Sequence, residues 1–142
     1  MPLLRSISCL IAALLLTAAL GCGSANKGAV VAGDVTLDGQ PLAEGAIKFI
    51  PLPGTSGAVT GTEIKEGKYK LRAETGAAFG PNRVEITAMR KSGKMVQAPM
   101  GPPGTMVEME VSAVAPRFNT ASTLTYEVKP GENKADFAVE SK

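Results

Sequence analysis

Gly33 to Pro51 reads GDVTLDGQPLAEGAIKFIP, and its pattern decides the fold class. Val31, Val35 and Leu37 alternate with Ala32, Asp34, Thr36 and Asp38, the two-residue period of a strand with one buried face. Asp38-Gly39 interrupts the run, because a glycine beside a short polar residue accepts the positive φ angles of a tight turn. Ile47 and Phe49 resume the apolar face with Lys48 pointing away, and Pro51 and Pro53 end the strand, since proline has no N–H to give to a ladder. The stretch predicts a β-hairpin whose apolar face every later strand must pack on.

Toward the C-terminus the same period returns several times. Ala58 to Lys65 is rich in Thr and interrupted by Gly61, which predicts a weaker strand with a bulge or at an edge. Glu66-Gly67 turns the chain. Tyr69, Leu71 and Ala73 then face inward against Lys70, Arg72 and Glu74. Thr75 to Asn82 (TGAAFGPN) is a connection with Phe79 as its only large apolar anchor, and Val84, Ile86 and Ala88 mark the buried face of the next strand. From Arg90 to Thr105 (RKSGKMVQAPMGPPGT) the alternation is lost among three Gly and three Pro, predicting a long loop that is functional or disordered. Met106 to Ser112 recovers a short strand, with Val107, Met109 and Val111 opposite Glu108 and Glu110. Ala115 to Ser122 is a turn-rich crossing. Leu124, Tyr126 and Val128, a turn at Pro130-Gly131-Glu132-Asn133, and then Ala135, Phe137 and Val139 predict a closing hairpin. Seven or eight short strands at this spacing without helical periodicity predict an all-β chain, a β-sandwich.

Toward the N-terminus the chain changes character. Arg5 precedes the uncharged apolar run Ile7 to Leu20 (ISCLIAALLLTAAL), too short for a comfortable membrane span of ~20 apolar residues and typical of an export signal. Gly21-Cys22 at the end of this run resembles the lipobox of bacterial lipoproteins, with Ala19 and Leu20 in the reverse of that pattern's order. The resemblance implies cleavage before Cys22 and acylation of its thiol. An ordinary cleaved signal and an uncleaved anchor are the alternatives. The only other cysteine, Cys9, lies inside the apolar run, so no structural disulfide is expected and acylation accounts for the odd thiol. The chain thus divides into a helical lipoprotein signal peptide at 1–21, a polar tether at 22–28 and one β-domain at 29–142, long enough to bury a core without staples.

The segments GDVTLDGQPLAEGAIKFIP, IKEGKYKLR, GPNRVEI and PRFNTASTLTYEVKPGENKADFAV, in this order, resemble the small bacterial lipoproteins built on a carboxypeptidase-regulatory-like, or transthyretin-like, domain. The resemblance spans Val30 to Val139. It implies a seven-stranded Greek-key β-sandwich, export, and attachment to a membrane of the cell envelope through Cys22. It implies a non-catalytic structural or binding module rather than an enzyme, with no cofactor. Many relatives carry Asp-Gly at the second turn where this chain has Glu66-Gly67, which removes a reason to expect calcium there.

The residue inventory restricts chemistry further. The chain has no histidine, which excludes Ser-His and Cys-His catalysis and histidine-based zinc sites. Glu108 and Glu110 lie two apart on one strand face, where a solvated face is a better account than an acid-base pair. Asp34 and Asp38 could donate oxygens to calcium, but Asp38-Gly39 is explained by the turn. Met89, Met95, Met100, Met106 and Met109 cluster around the long loop; thioethers suit Cu(I), but methionine also fills gaps where a loop folds over a core, and no histidine completes a site. With 15 Lys and Arg against 13 Asp and Glu, overall charge indicates no nucleic-acid partner. Arg90, Lys91 and Lys94 stand out, because no acid occurs from Thr87 through Val107. That local basic patch marks the loop as the partner-facing region, toward phospholipid head groups, an acidic envelope polymer or an envelope protein. The expectation is a monomeric, exported, lipid-anchored module. A carbohydrate-binding module is the alternative, weakened because there is no Trp and both tyrosines fall on inward faces; a metal carrier or hydrolase trails both.

Overall fold

β1 (Val30–Leu37) forms where the alternation predicts it, with Val31 and Val35 fully buried, in a computed structural model that describes residues 28–141. The signal helix at 1–21, the lipid attachment at Cys22 and tether residues 22–27 lie outside the described residues. The remaining strands are β2 (Gln40–Pro41), β3 (Glu44–Pro51), β4 (Thr60–Lys65), β5 (Lys68–Leu71), β6 (Gly80–Thr87), β7 (Met89–Gln97), β8 (Met106–Ser112), β9 (Thr125–Val128), β10 (Glu132–Lys134) and β11 (Phe137–Val139). Two 3-10 turns, Ala73–Thr75 and Pro116–Phe118, are the only helical segments among the described residues. The protein is all-β.

The decisive stretch folds differently from a simple hairpin. Asp38 and Gly39 adopt φ of 51° and 84°, the doubly left-handed turn that matches strand twist, but the turn closes only onto β2, pairing Leu37 with Gln40 and Thr36 with Pro41. β3 leaves β1 and pairs antiparallel with β4 and β6. The main sheet runs β10-β1-β5-β4-β3-β6-β9, with β2 and β11 also on β1. Both β10 and β11 pair with β1 in parallel. Period and turn chemistry report which face is buried but not which strand is the neighbour, which is why the hairpin partner differs.

Two further expectations are corrected by the same sheet order. β4 is neither bulged nor an edge strand, since it lies between β3 and β5 in continuous register with β3. Its Gly61 is needed for close approach, because a Cβ there would stand 2.7 Å from the Ile47 carbonyl oxygen. The closing hairpin also dissolves: β9 pairs with β6, and the turn after Val128 carries the chain to the opposite edge of the sheet, where β10 joins β1. Asn133 holds that turn. Its Nδ2 donates to the Lys129 and Val30 carbonyls at 2.8 and 3.2 Å, and its Oδ1 accepts from the Lys129 N–H at 2.9 Å.

The sheet curls so that its two ends share one core. Phe49, fully buried on β3, has ring neighbours from β5, β9 and β11: Tyr69 at 6.3 Å, Tyr126 at 6.4 Å and Phe137 at 6.5 Å between centroids. Ile47, Ile64, Leu71, Val84, Ile86, Val128 and Val139 complete the apolar interior. Two phenols bridge the curl, with the Tyr69 hydroxyl donating to the Ala135 carbonyl at 2.7 Å and the Tyr126 hydroxyl to the Lys134 carbonyl at 3.0 Å.

Burial, with smaller contributions from Tyr126 and Asp136, raises the Tyr69 phenol above its ordinary value of 10.0. The fold therefore favours the neutral phenol, and this stabilisation is present below pH 10 and lost as pH rises past it. Tyr69→Phe should cost ~1 kcal/mol near neutrality, for the hydrogen bond to Ala135. It should also flatten the alkaline loss of stability when urea midpoints are compared at about pH 8 and about pH 11. An alkaline loss as steep in the variant as in wild type would assign it to other groups.

Candidate functional site

The segment predicted as a loop from Arg90 to Thr105 is mostly not a loop. β7 and β8 form a separate two-stranded antiparallel sheet, pairing Met89 with Ser112, Lys91 with Glu110, Met95 with Glu108 and Gln97 with Met106. Only 98–105 remains a connection, closed by the Ala98 N–H on the Thr105 carbonyl at 2.8 Å. Alternation was absent from β7 because alternation reports one buried face, and this ribbon has none. No residue of β7 or β8 belongs to the core cluster. The ribbon is an arm held at its base by the buried Ala88, Ala113 and Val114, with the Ala113 N–H on the Ala88 carbonyl at 2.8 Å.

The three basic residues of the predicted patch therefore lie on a strand. Arg90 is paired with Val111, and by register shares that face with Val96, Val107 and Val111; Lys91 lies on the other face with Met89, Met95, Met106, Glu108 and Glu110. The register shifts between Lys91 and Met95, where Gly93 takes φ of 78°. Glu108 fixes this bulge, accepting the Gly93 N–H at 2.9 Å while Lys91 Nζ stands 3.8 Å from its other oxygen. The patch is thus partly neutralised across the ribbon, which chain order alone could not show. Glu108 and Glu110 are not an acid-base pair in a cleft, since one of them clasps a backbone bulge.

The methionines also differ from expectation. Met89, Met95, Met100 and Met106 are exposed rather than filling gaps over a core, with Met100 at the tip 88% exposed. Such an arm carries soft, adaptable apolar surface beside cations. Among the described residues no group of three or more Cys, Asp or Glu gathers for a metal. Asp34 binds Lys68 Nζ at 2.8 Å, and Asp38 accepts the Ser141 N–H at 3.0 Å, so both candidate calcium ligands have structural partners.

The strand directions set the arm's position. β1 begins, β3 ends, β6 begins and β9 ends at one end of the sheet, where Gly28 and the Ala29–Ala77 pair lie. β6 ends at the other, and the arm departs from there. The arm and the start of the described chain are at opposite ends.

Two hollows escaped the sequence reading. The outer face of β10-β1-β5 carries an open trough of about 960 Å³ floored by Val30 and Ala32 and rimmed by Lys68, Lys70, Glu132 and Lys134. Most of its charge is committed, through Lys68–Asp34 at 2.8 Å, Lys65–Glu63 at 2.8 Å and Lys134–Asp136 at 3.1 Å. The Lys68 ammonium is raised by its bond to Asp34, Glu63 is lowered by Lys65, and Asp136 is lowered chiefly by the Asp34 backbone N–H. A second hollow of about 880 Å³ lies at the end where Gly28 sits, lined by Ser56 to Gly61, Glu74 to Gly76, Ala78 and Phe79. Phe79, expected to anchor its connection, is instead 47% exposed, and Ala77, Ala78 and Asn82 are the buried residues there. Of the two tyrosines, Tyr69 is buried and Tyr126 half-buried, and both phenols are bonded to backbone carbonyls. No helix among the described residues is long and apolar enough to cross a membrane. The chain matches no model of a known protein family, no curated protein and no solved structure.

Proposed function

We propose that the protein is an exported, non-catalytic binding module of the cell envelope, lipid-anchored through Cys22 and monomeric, with a β-sandwich of the transthyretin-like kind. The reading of anchor and family rests on Gly21-Cys22 after the apolar run and on the sequence resemblance. The β7–β8 arm carries the binding role: a ribbon outside the core, with Arg90, Lys91, Lys94 and four exposed methionines, at the end opposite Gly28. A two-stranded ribbon is marginal in water by itself, so surface of this kind standing off a domain is best explained by a partner that covers it. Because the tether leaves from the far end, the arm addresses partners away from the anchoring bilayer. The partner chemistry that fits is an acidic envelope polymer, or an envelope protein with an acidic apolar segment, rather than the head groups beneath the anchor.

The test uses full-chain protein reconstituted in phosphatidylcholine vesicles and floated with polygalacturonate. Binding should weaken as salt passes ~0.15 M, where the Debye length is about 8 Å. The variant with Arg90→Ser, Lys91→Ser and Lys94→Ser should bind about tenfold more weakly at low salt. Equal binding by wild type and variant, or binding indifferent to salt, would remove the basic arm from the function.

A further inference from the structure

We propose that the end of the domain opposite the arm is a membrane-seating surface, with Phe79 and Val59 inserted into the interface of the bilayer that carries the lipid anchor. This rests on the anchored reading above, and begins with where the visible chain starts. Gly28 packs so closely on Gly76 that a Cβ would meet its carbonyl carbon at 2.3 Å, and Ala29 is tied to Ala77 by hydrogen bonds of 3.0 and 3.2 Å. The tether therefore leaves from a fixed point at this end. The seven residues 22–28 can span at most about 25 Å fully extended. An acylated Cys22 would hold this end, and not the arm, near the bilayer.

The surface at that point has the composition an interface requires. Residues 51–61 (PLPGTSGAVTG) and 75–82 (TGAAFGPN) contain no charged residue, whereas the sheet faces carry ion pairs such as Arg83–Glu85 at 3.0 Å and Lys68–Asp34 at 2.8 Å. Val59 and Phe79 are 59% and 47% exposed, one from each uncharged run, and both line the hollow that Gly28 borders. The other large hydrophobics of comparable exposure, Met89, Met95, Met100, Met106 and Val107, all belong to the arm. Among the described residues the large, strongly exposed hydrophobics thus fall at the two ends, and at this end a short tether supplies the occupant. This end also carries Lys129 and Glu132 at the turn between β9 and β10. Aromatic and aliphatic side chains on its two uncharged runs nonetheless partition a few ångströms into the boundary between head groups and acyl chains, which takes up small amphipathic surfaces of this kind. Glu74 is the one acid among the described residues that line the hollow. With Phe79 in the bilayer, the arm is directed away from it.

The chain contains no tryptophan, so a single introduced indole reports its own surroundings. Full-chain Phe79→Trp, Val59→Trp and Met100→Trp proteins are reconstituted in phosphatidylcholine vesicles with and without lipids brominated on the acyl chains. Phe79→Trp and Val59→Trp should show blue-shifted emission and lose about half of it to the brominated lipid, while Met100→Trp keeps nearly all of its emission. Intact mass and flotation of the same samples report the anchor separately. A protein that carries acyl chains and floats, yet shows unquenched indole at positions 59 and 79, overturns the seating surface and leaves the anchor intact. A protein that is neither acylated nor floating overturns the anchor, and the seating surface with it. A blue shift that disappears on dilution and is indifferent to bromine would mean that a second copy covers this end, which also overturns the proposal.

Discussion

Phe49→Ala should lower the unfolding free energy by about 3–5 kcal/mol, the cost of emptying a fully buried aromatic site, and so remove a large share of the ~5–15 kcal/mol typical of a single domain. Its ring is the hub of the aromatic cluster, with Tyr69, Tyr126 and Phe137 all within 6.5 Å between centroids. Those neighbours come from β5, β9 and β11, so the loss is felt in both ends of the curled sheet. Thr125→Ala, on an exposed position of β9, should stay within ~0.5 kcal/mol. Urea melts followed by tyrosine fluorescence and by far-ultraviolet circular dichroism measure both. Similar losses for the two variants would mean that Phe49 is not the centre of the core.

Gly33→Ala should cost about 3 kcal/mol although it adds a single methyl group. A Cβ at this point of β1 would lie 1.9 Å from the Ala135 carbonyl oxygen, 2.6 Å from its carbon and 2.9 Å from Asp136 Oδ1. Two of the three are backbone atoms and cannot rotate aside. Moving them strains the Ala135 N–H bond to the Ala32 carbonyl, the Asp34 N–H bond to Asp136 and the Tyr69 hydroxyl bond to Ala135, of 2.9, 2.9 and 2.7 Å. Gly39→Ala is the control, since it has φ of 84° and no neighbour within 4 Å. It should cost only the ~1 kcal/mol of placing a side chain in the left-handed region. Equal midpoints for the two variants would show that β1 and the 135–136 segment do not approach as closely as described.

Much of the fold was legible from faces and turns. Val31, Val35, Ile47, Tyr69, Leu71, Val84 and Ile86 are buried as their alternation predicts, because an apolar period of two reports exposure directly. Asp38-Gly39 and Glu66-Gly67 turn where they should, each with both residues at positive φ. What alternation cannot encode is the neighbour across the ladder. Hence β3 leaves β1, and β9 leaves β10, despite good hairpin spacing. The arm was illegible for the opposite reason. β7 has water on both faces, so Met89, Lys91 and Met95 alternate with nothing buried. A different sign was present, the alternation of MVEMEVS, which needed an antiparallel partner within reach and had only β7 as the next candidate upstream. The tether-side surface had its own sign, two uncharged runs with one large apolar residue apiece, but the assumption that Phe79 must point inward concealed it.

The parallel pairing of β1 with both β10 and β11 also bears on the time course of folding. β1 stays open on one side until residues 132–139, far later in the chain, have arrived. Pairing between segments this far apart in sequence is slow, because the entropy of closing the long loop between them is lost before the contact repays it. Until then Val31 and Val35 lack their ladder neighbours on that side. The strand that opens the sheet in chain order is thereby the last to be completed.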